Sequence, residues 1–104
     1  MAKDDVIILL REYIILLKAS GIPVTKAFLY GSYARNEATE NSDIDIMVIS
    51  EIFDQHNDKI RAKAWIVAEK TDVRIEPYMI GLHKFLSDDV SPLLQIVKRE
   101  GIEI

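Results

Sequence analysis

Ten residues, 33–42, separate the pair Gly31-Ser32 from the triplet Asp43-Ile44-Asp45, and each motif adjoins an apolar run of strand-like composition. Upstream, Ala27-Phe28-Leu29-Tyr30 ends at the glycine. Downstream, Ile44, Ile46, Met47, Val48 and Ile49 predict a buried strand whose first turn carries the carboxylates. Side chains two apart on a strand leave the same face at a spacing of roughly 6 to 7 Å, so Asp43 and Asp45 are expected to project together. Adjacent anions repel, and such a pair is tolerated when a divalent cation such as Mg²⁺ sits between them, completed by phosphate oxygens and water. Gly31 permits a tight turn and a close approach of phosphate to the backbone. Ser32 offers a hydroxyl and an N–H at the start of a short helix expected over 33–36, where free backbone donors favour an anion. Arg35 adds a positive charge. Tyr30 and Tyr33 beside the glycine suit either stacking on a base or packing around the loop, and Asn41-Ser42-Asp43 also reads as a plain turn with a local side-chain hydrogen bond.

Together, Gly31-Ser32-Tyr33-Ala34-Arg35, the ten-residue gap and Asp43-Ile44-Asp45 closely resemble the signature of the DNA polymerase β-like nucleotidyltransferase superfamily, and the length of 104 residues resembles its minimal branch. The resemblance implies that Gly31, Ser32 and Arg35 bind the nucleotide, with ATP as substrate. It also implies that Asp43 and Asp45 bind two Mg²⁺ ions and that a third acid on a later strand completes the catalytic set. Two residues are eligible for that place. Residues 72–80 read as a strand whose alternation sets Asp72, Arg74, Glu76 and Tyr78 on one face. Family members often carry an aromatic that closes the turn after the third acid, and Phe85 stands at that interval from Glu76, which makes Glu76 the first choice. Asp72 reads as a helix-to-strand turn residue sooner than as a ligand, and Arg74 as a partner for Glu76 or a phosphate, or as a solvated strand residue. Aspartate is usual in the third place, so Glu76 puts full catalytic competence in question.

The remaining pattern is helix, strand, strand, helix, strand, helix. The first helix is expected over 4–20, stopped by Gly21 and Pro23. The second follows a cap at Asp54 or Asn57 and runs to about Lys70 with Ile60, Ala64, Val67 and Ala68 as its apolar stripe. The last spans 92–100 between Ser91 and Gly101, with residues 102–104 as a short edge strand. The expectation is a single α/β (α+β) domain over 1–104: a small mixed sheet, helices packed on one side and the acidic cluster at the strand ends.

Charge and composition narrow the function. Seventeen acidic residues against 13 basic ones give a net charge of −4, which opposes a nonspecific grip on polynucleotides, so no direct nucleic-acid binding is expected. The chain has no cysteine, which removes disulfides and thiolate metal sites. The start, Met1-Ala2-Lys3-Asp4-Asp5, is acidic where a secretory leader is basic, and no apolar run approaches the ~20 residues needed to span a bilayer, so a cytoplasmic location is expected. Nucleotidyl transfer relies on positioning and charge stabilisation and needs no side-chain nucleophile. His56 and His83 accordingly read as surface residues.

Three apolar residues fall on the wrong side of their helices. Ile8 and Ile15 lie in the polar sector made by Asp5, Arg11, Glu12 and Lys18, and Trp65 falls between Arg61 and Glu69, opposite the apolar stripe. Exposed aromatics beside charges are common interface anchors, although single surface apolar residues are ordinary. The resemblance supplies a partner: minimal nucleotidyltransferases are often made beside a helical HEPN-domain protein, in many cases a ribonuclease toxin, and act as antitoxin by moving AMP from ATP onto a toxin tyrosine. A hetero-oligomer of this kind is the leading expectation. The alternative is a catalytically weak or inactive module that neutralises its partner by contact. Transfer to a small molecule such as an aminoglycoside requires an acceptor pocket that one compact domain hardly supplies.

Overall fold

The computed structural model describes residues 1–104. In chain order the elements are α1 (Lys3–Ala19), β1 (Lys26–Tyr30), β2 (Ile44–Ile49), a 3₁₀ turn (Glu51–Asp54), α2 (Asp58–Thr71), β3 (Ile75–Ile80), α3 (Leu82–Ser87), α4 (Pro92–Glu100) and β4 (Ile102–Glu103). No helix is long and apolar enough to cross a membrane.

The two long helices follow from their apolar spacing. Val6, Leu10, Tyr13 and Leu17 recur at intervals of three and four and are fully buried, while Asp4 and Asp5 complement the positive end of the α1 dipole. Gly21, at φ 87°, then reverses the chain. At the start of α2 the Asn57 side chain accepts from the N–H groups of Lys59 and Ile60 at 3.1 and 3.3 Å, so Asn57 rather than Asp54 is the cap. Ala64, Val67 and Ala68 point inward as expected, and the Tyr13 hydroxyl donates to the Ala64 carbonyl at 2.9 Å, tying the two helices together.

The sheet order is β3-β2-β1-β4, with β2 antiparallel to β1 and parallel to β3, and β4 antiparallel to β1. Alternation divides its side chains between two cores. Ala27, Leu29, Ile44, Ile46, Val48, Ile75 and Met79 pack with α1 and α2. On the other face Met47, Ile49 and Ile80, with Phe28 and Tyr30, meet Phe85 of α3 and Leu94 and Val97 of α4. The expected one-sided packing thus holds for the two long helices, while the two short ones lie on the opposite face. Phe28 and Phe85 stack there with centroids 5.9 Å apart.

Two further differences have local causes. Helix α3 was not anticipated because six residues are too few to display a helical period. Asp54 caps this helix from a distance, accepting from the N–H groups of His83 and Lys84 at 3.0 and 3.4 Å. The third strand begins at Ile75 rather than at residue 72, because Asp72 is the C-cap of α2 and the chain turns through Val73, which is 83% exposed.

Candidate active site

Asp45 lies opposite Tyr30 of β1 on one side and Glu76 of β3 on the other, so a tyrosine and two candidate site carboxylates stand abreast across neighbouring strands. Strands in a sheet are about 4.7–4.9 Å apart, which sets the Asp45 and Glu76 side chains next to each other on one face. Asp43 precedes β2 by one residue, set there by a turn in which the Thr39 N–H donates to the Ser42 hydroxyl at 2.8 Å and the Ser42 N–H to the Thr39 carbonyl at 3.1 Å. The plain turn with a local side-chain hydrogen bond is therefore present, and the chain passes from it through Asp43 into β2.

The electrostatics register this convergence. Burial raises the Asp45 carboxyl above the ordinary carboxylate range, the negative charges of Glu76 and Asp43 push it further, and Arg35 opposes them. The Tyr30 phenol is pushed up to about 12, first by burial and then by Asp45, Tyr78 and Glu76. None of the chain's ion pairs involves Asp43, Asp45 or Glu76. The three carboxylates do not close into a finished ligand cluster. Their chemistry nevertheless fits a hard divalent cation: a half-buried aspartate flanked by two like charges, with no protein cation paired to it, is a donor set that such an ion completes.

Gly31 joins the two sequence motifs. It adopts φ 80°, and a Cβ placed there would collide with the Asp45 carboxylate. Glycine is required on both counts. The following residues form one closed turn in place of the expected short helix. The Arg35 N–H donates to the Gly31 carbonyl at 3.2 Å, the Asn36 N–H to Tyr33 at 3.4 Å and the Glu37 N–H to Ser32 at 2.9 Å, with Asn36 in the left-handed region at φ 60°. This is the Schellman pattern that terminates a helix, applied to a single turn. The N–H groups of Ser32, Tyr33 and Ala34 donate to no backbone acceptor and remain available.

The two tyrosines part company. Tyr33 is buried in the core with α1 and α2 and its hydroxyl has no partner, so base stacking by Tyr33 is ruled out by packing. Tyr30 is half-buried beside Asp45 and keeps that option. Arg35 is held between two carboxylates, its Nε 3.1 Å from Glu37 Oε2 and its Nη1 3.4 Å from Glu100 Oε1. Asp72 is turned onto Arg74, accepting from its N–H at 2.9 Å, its Nε at 3.0 Å and its Nη2 at 2.7 Å. That guanidinium holds the Asp72 carboxyl below the usual carboxylate range. Glu76, not Asp72, therefore stands beside Asp45, and Arg74 pairs with Asp72 rather than with Glu76. His56 pairs with Asp58 at 3.7 Å on the surface, and His83 is exposed on α3. A cleft of about 240 Å³ lined by Phe53, Asp54, Arg61, Tyr78 and Lys84 lies at the far end of β3, away from the carboxylates. Sequence reasoning missed Glu37 and Glu100 as partners of Arg35. Glu37 was readable as a near neighbour, whereas Glu100 lies 65 positions away and gives no local signal.

The profile of the nucleotidyltransferase domain matches residues 7–100. The chain belongs to this family. A solved structure of a candidate nucleotidyltransferase from Sulfolobus solfataricus matches with a TM-score of 0.65 at 17% identity, covering 97% of this chain and 80% of that one. At that identity the likeness shows the fold. No match was found among curated proteins. In this nucleotidyltransferase domain the Gly31 turn lies against Asp45, which brings the glycine motif and the aspartate motif together.

Proposed function

We propose that this nucleotidyltransferase domain moves AMP from ATP to a hydroxyl acceptor, a tyrosine of a partner HEPN-domain toxin, and so acts as an antitoxin. The observation that carries the transfer reading is the contact of Gly31 with Asp45, with Glu76 in register beside it. The free N–H groups of Ser32, Tyr33 and Ala34 serve as donors to phosphate oxygens, and Arg35 adds its charge. Asp43, Asp45 and Glu76 are the residues that would hold Mg²⁺. When bound, the metal supplies charge neutralisation of the triphosphate and polarisation of the acceptor hydroxyl. The acceptor oxygen bonds to the α-phosphorus, the bond from that phosphorus to the β-phosphate oxygen breaks, pyrophosphate leaves, and the hydroxyl proton passes to a site carboxylate or water. Positioning and electrostatics are sufficient for such a step.

The partner reading is supported by the resemblance to minimal nucleotidyltransferases and by the exposure of Ile8, Ile15 and Trp65 at 61, 66 and 41%. Incubation with labelled ATP, Mg²⁺ and the partner should label the partner, and Asp43→Ala or Asp45→Ala should abolish it. Label that persists in both variants refutes the assignment. A second reading, neutralisation by contact alone, is favoured by Glu76 in the place where aspartate is usual. On that reading the aspartate variants still bind and inhibit the partner.

A further inference from the structure

The C-terminal segment lies far from the sequence motifs, yet it returns to the phosphate turn. β4 pairs with β1 so that Ile102 lies opposite Leu29 and Glu103 opposite Phe28. Just before that pair, Gly101 is the C-cap of α4, whose last residue is Glu100. Gly101 makes the passage from α4 into β4 tight, because a Cβ there would collide with the Val97 carbonyl and crowd Phe28. From the end of α4 Glu100 reaches the turn that follows β1, where its Oε1 takes Nη1 of Arg35 while Glu37 takes Nε. Nη2 has no protein partner.

We propose that Glu100 is a positioning residue for nucleotide binding: with Glu37 it fixes the Arg35 guanidinium at the mouth of the site so that Nη2 stays available to a triphosphate. The proposal rests on the nucleotidyl-transfer reading above. An unrestrained arginine loses considerable rotamer freedom when it grips a phosphate, and a fork already held from two sides has lost much of it beforehand. At 41 and 30% side-chain exposure the Arg35–Glu100 pair contributes little to the fold, so its effect belongs in binding. The Arg35 N–H donates to the Gly31 carbonyl at 3.2 Å, which ties the residue to the glycine that lies against Asp45. A competing effect is the repulsion between Glu100 and a triphosphate, which is screened by salt and does not depend on Arg35.

A double-mutant cycle separates the two. Equilibrium binding of Mg²⁺–ATP, with no acceptor present, is measured for the full chain, Glu100→Gln, Arg35→Gln and the double variant. Glu100→Gln should weaken binding about three- to tenfold alone and not at all in the Arg35→Gln background. With acceptor present, KM should rise and kcat hold. Equal weakening in both backgrounds, no change, or tighter binding overturns the positioning role. If Glu100→Gln lowers the melting temperature, Glu37→Gln tests the clamp from its other side and must show the same dependence on Arg35. A wild-type chain that binds no nucleotide defeats the transfer reading and this proposal with it, whereas a binding wild type with a flat cycle defeats the proposal alone.

Discussion

Gly31 and Asp45 are coupled by sterics, and their substitutions should be too. Gly31→Ala forces a Cβ onto a φ of 80° and into the Asp45 carboxylate, and should destabilise the fold by about 1–3 kcal/mol in urea denaturation. Asp45→Ala in that background should recover the collision component and leave the backbone component, so the two changes should be strongly non-additive. Asp45→Asn should separate stability from activity. It removes a half-buried charge facing Glu76 and Asp43, and after allowance for solvent screening should raise the melting temperature by about 2–4 °C while abolishing transfer. Asp72 gives a pH signature of opposite sense. Its folded carboxyl is depressed by Arg74, so its stabilisation is present above the ordinary carboxylate pKa of about 3.9 and is lost as pH falls through the depressed value. Arg74→Ala should therefore flatten the acid limb of the stability curve, read by denaturant midpoints taken down to about pH 3. At this scale the sequence revealed whatever obeys a fixed period. Asp45 and Glu76 lie on regular strands and their facing was readable from alternation. Tyr33 lies in a turn without such a period, and its burial is decided by helices that no local rule connects to it.

The elements show the same division between local and distant causes. α1, α2 and α4 were readable because caps and apolar stripes repeat within each helix, as at Asn57 and Ser91. The placement of helices on both sheet faces was also implicit: the run from Ile46 to Ile49 is apolar at every position, and a strand buried on both faces must be covered on both. The expectation of one-sided packing overlooked that run. Helix α3 depends on Asp54, which lies 29 positions before His83. Asp54→Ala should remove acceptors from two N–H groups of α3 and cost about 1 kcal/mol, with faster hydrogen exchange confined to His83 and Lys84. Exchange that accelerates equally in α1 would instead show a global loss of stability.

At the scale of the molecule, the sheet separates two surfaces. Asp45 shares its face with Met47 and Ile49, which pack toward α3 and α4, whereas Ile8, Ile15, Trp65 and Ile66 emerge from helices that cover the opposite face. A proposed partner anchored on the helices must send its acceptor segment around the sheet edge to reach the carboxylates, so anchoring contact and chemistry use different residues and should be separable by mutation. Ile8→Asp combined with Trp65→Ala should abolish complex formation with the partner, a loss of 2 kcal/mol or more being typical of about two anchors of this kind. Both side chains are already exposed, so the melting temperature should stay within about 2 °C of wild type. Asp45→Ala should retain the complex on size-exclusion chromatography and fail to label the partner. If that retained complex also leaves the partner's activity unsuppressed, inhibition works through nucleotidyl transfer. If it suppresses the partner fully, the exposed helical face alone is sufficient and the carboxylates are dispensable for inhibition.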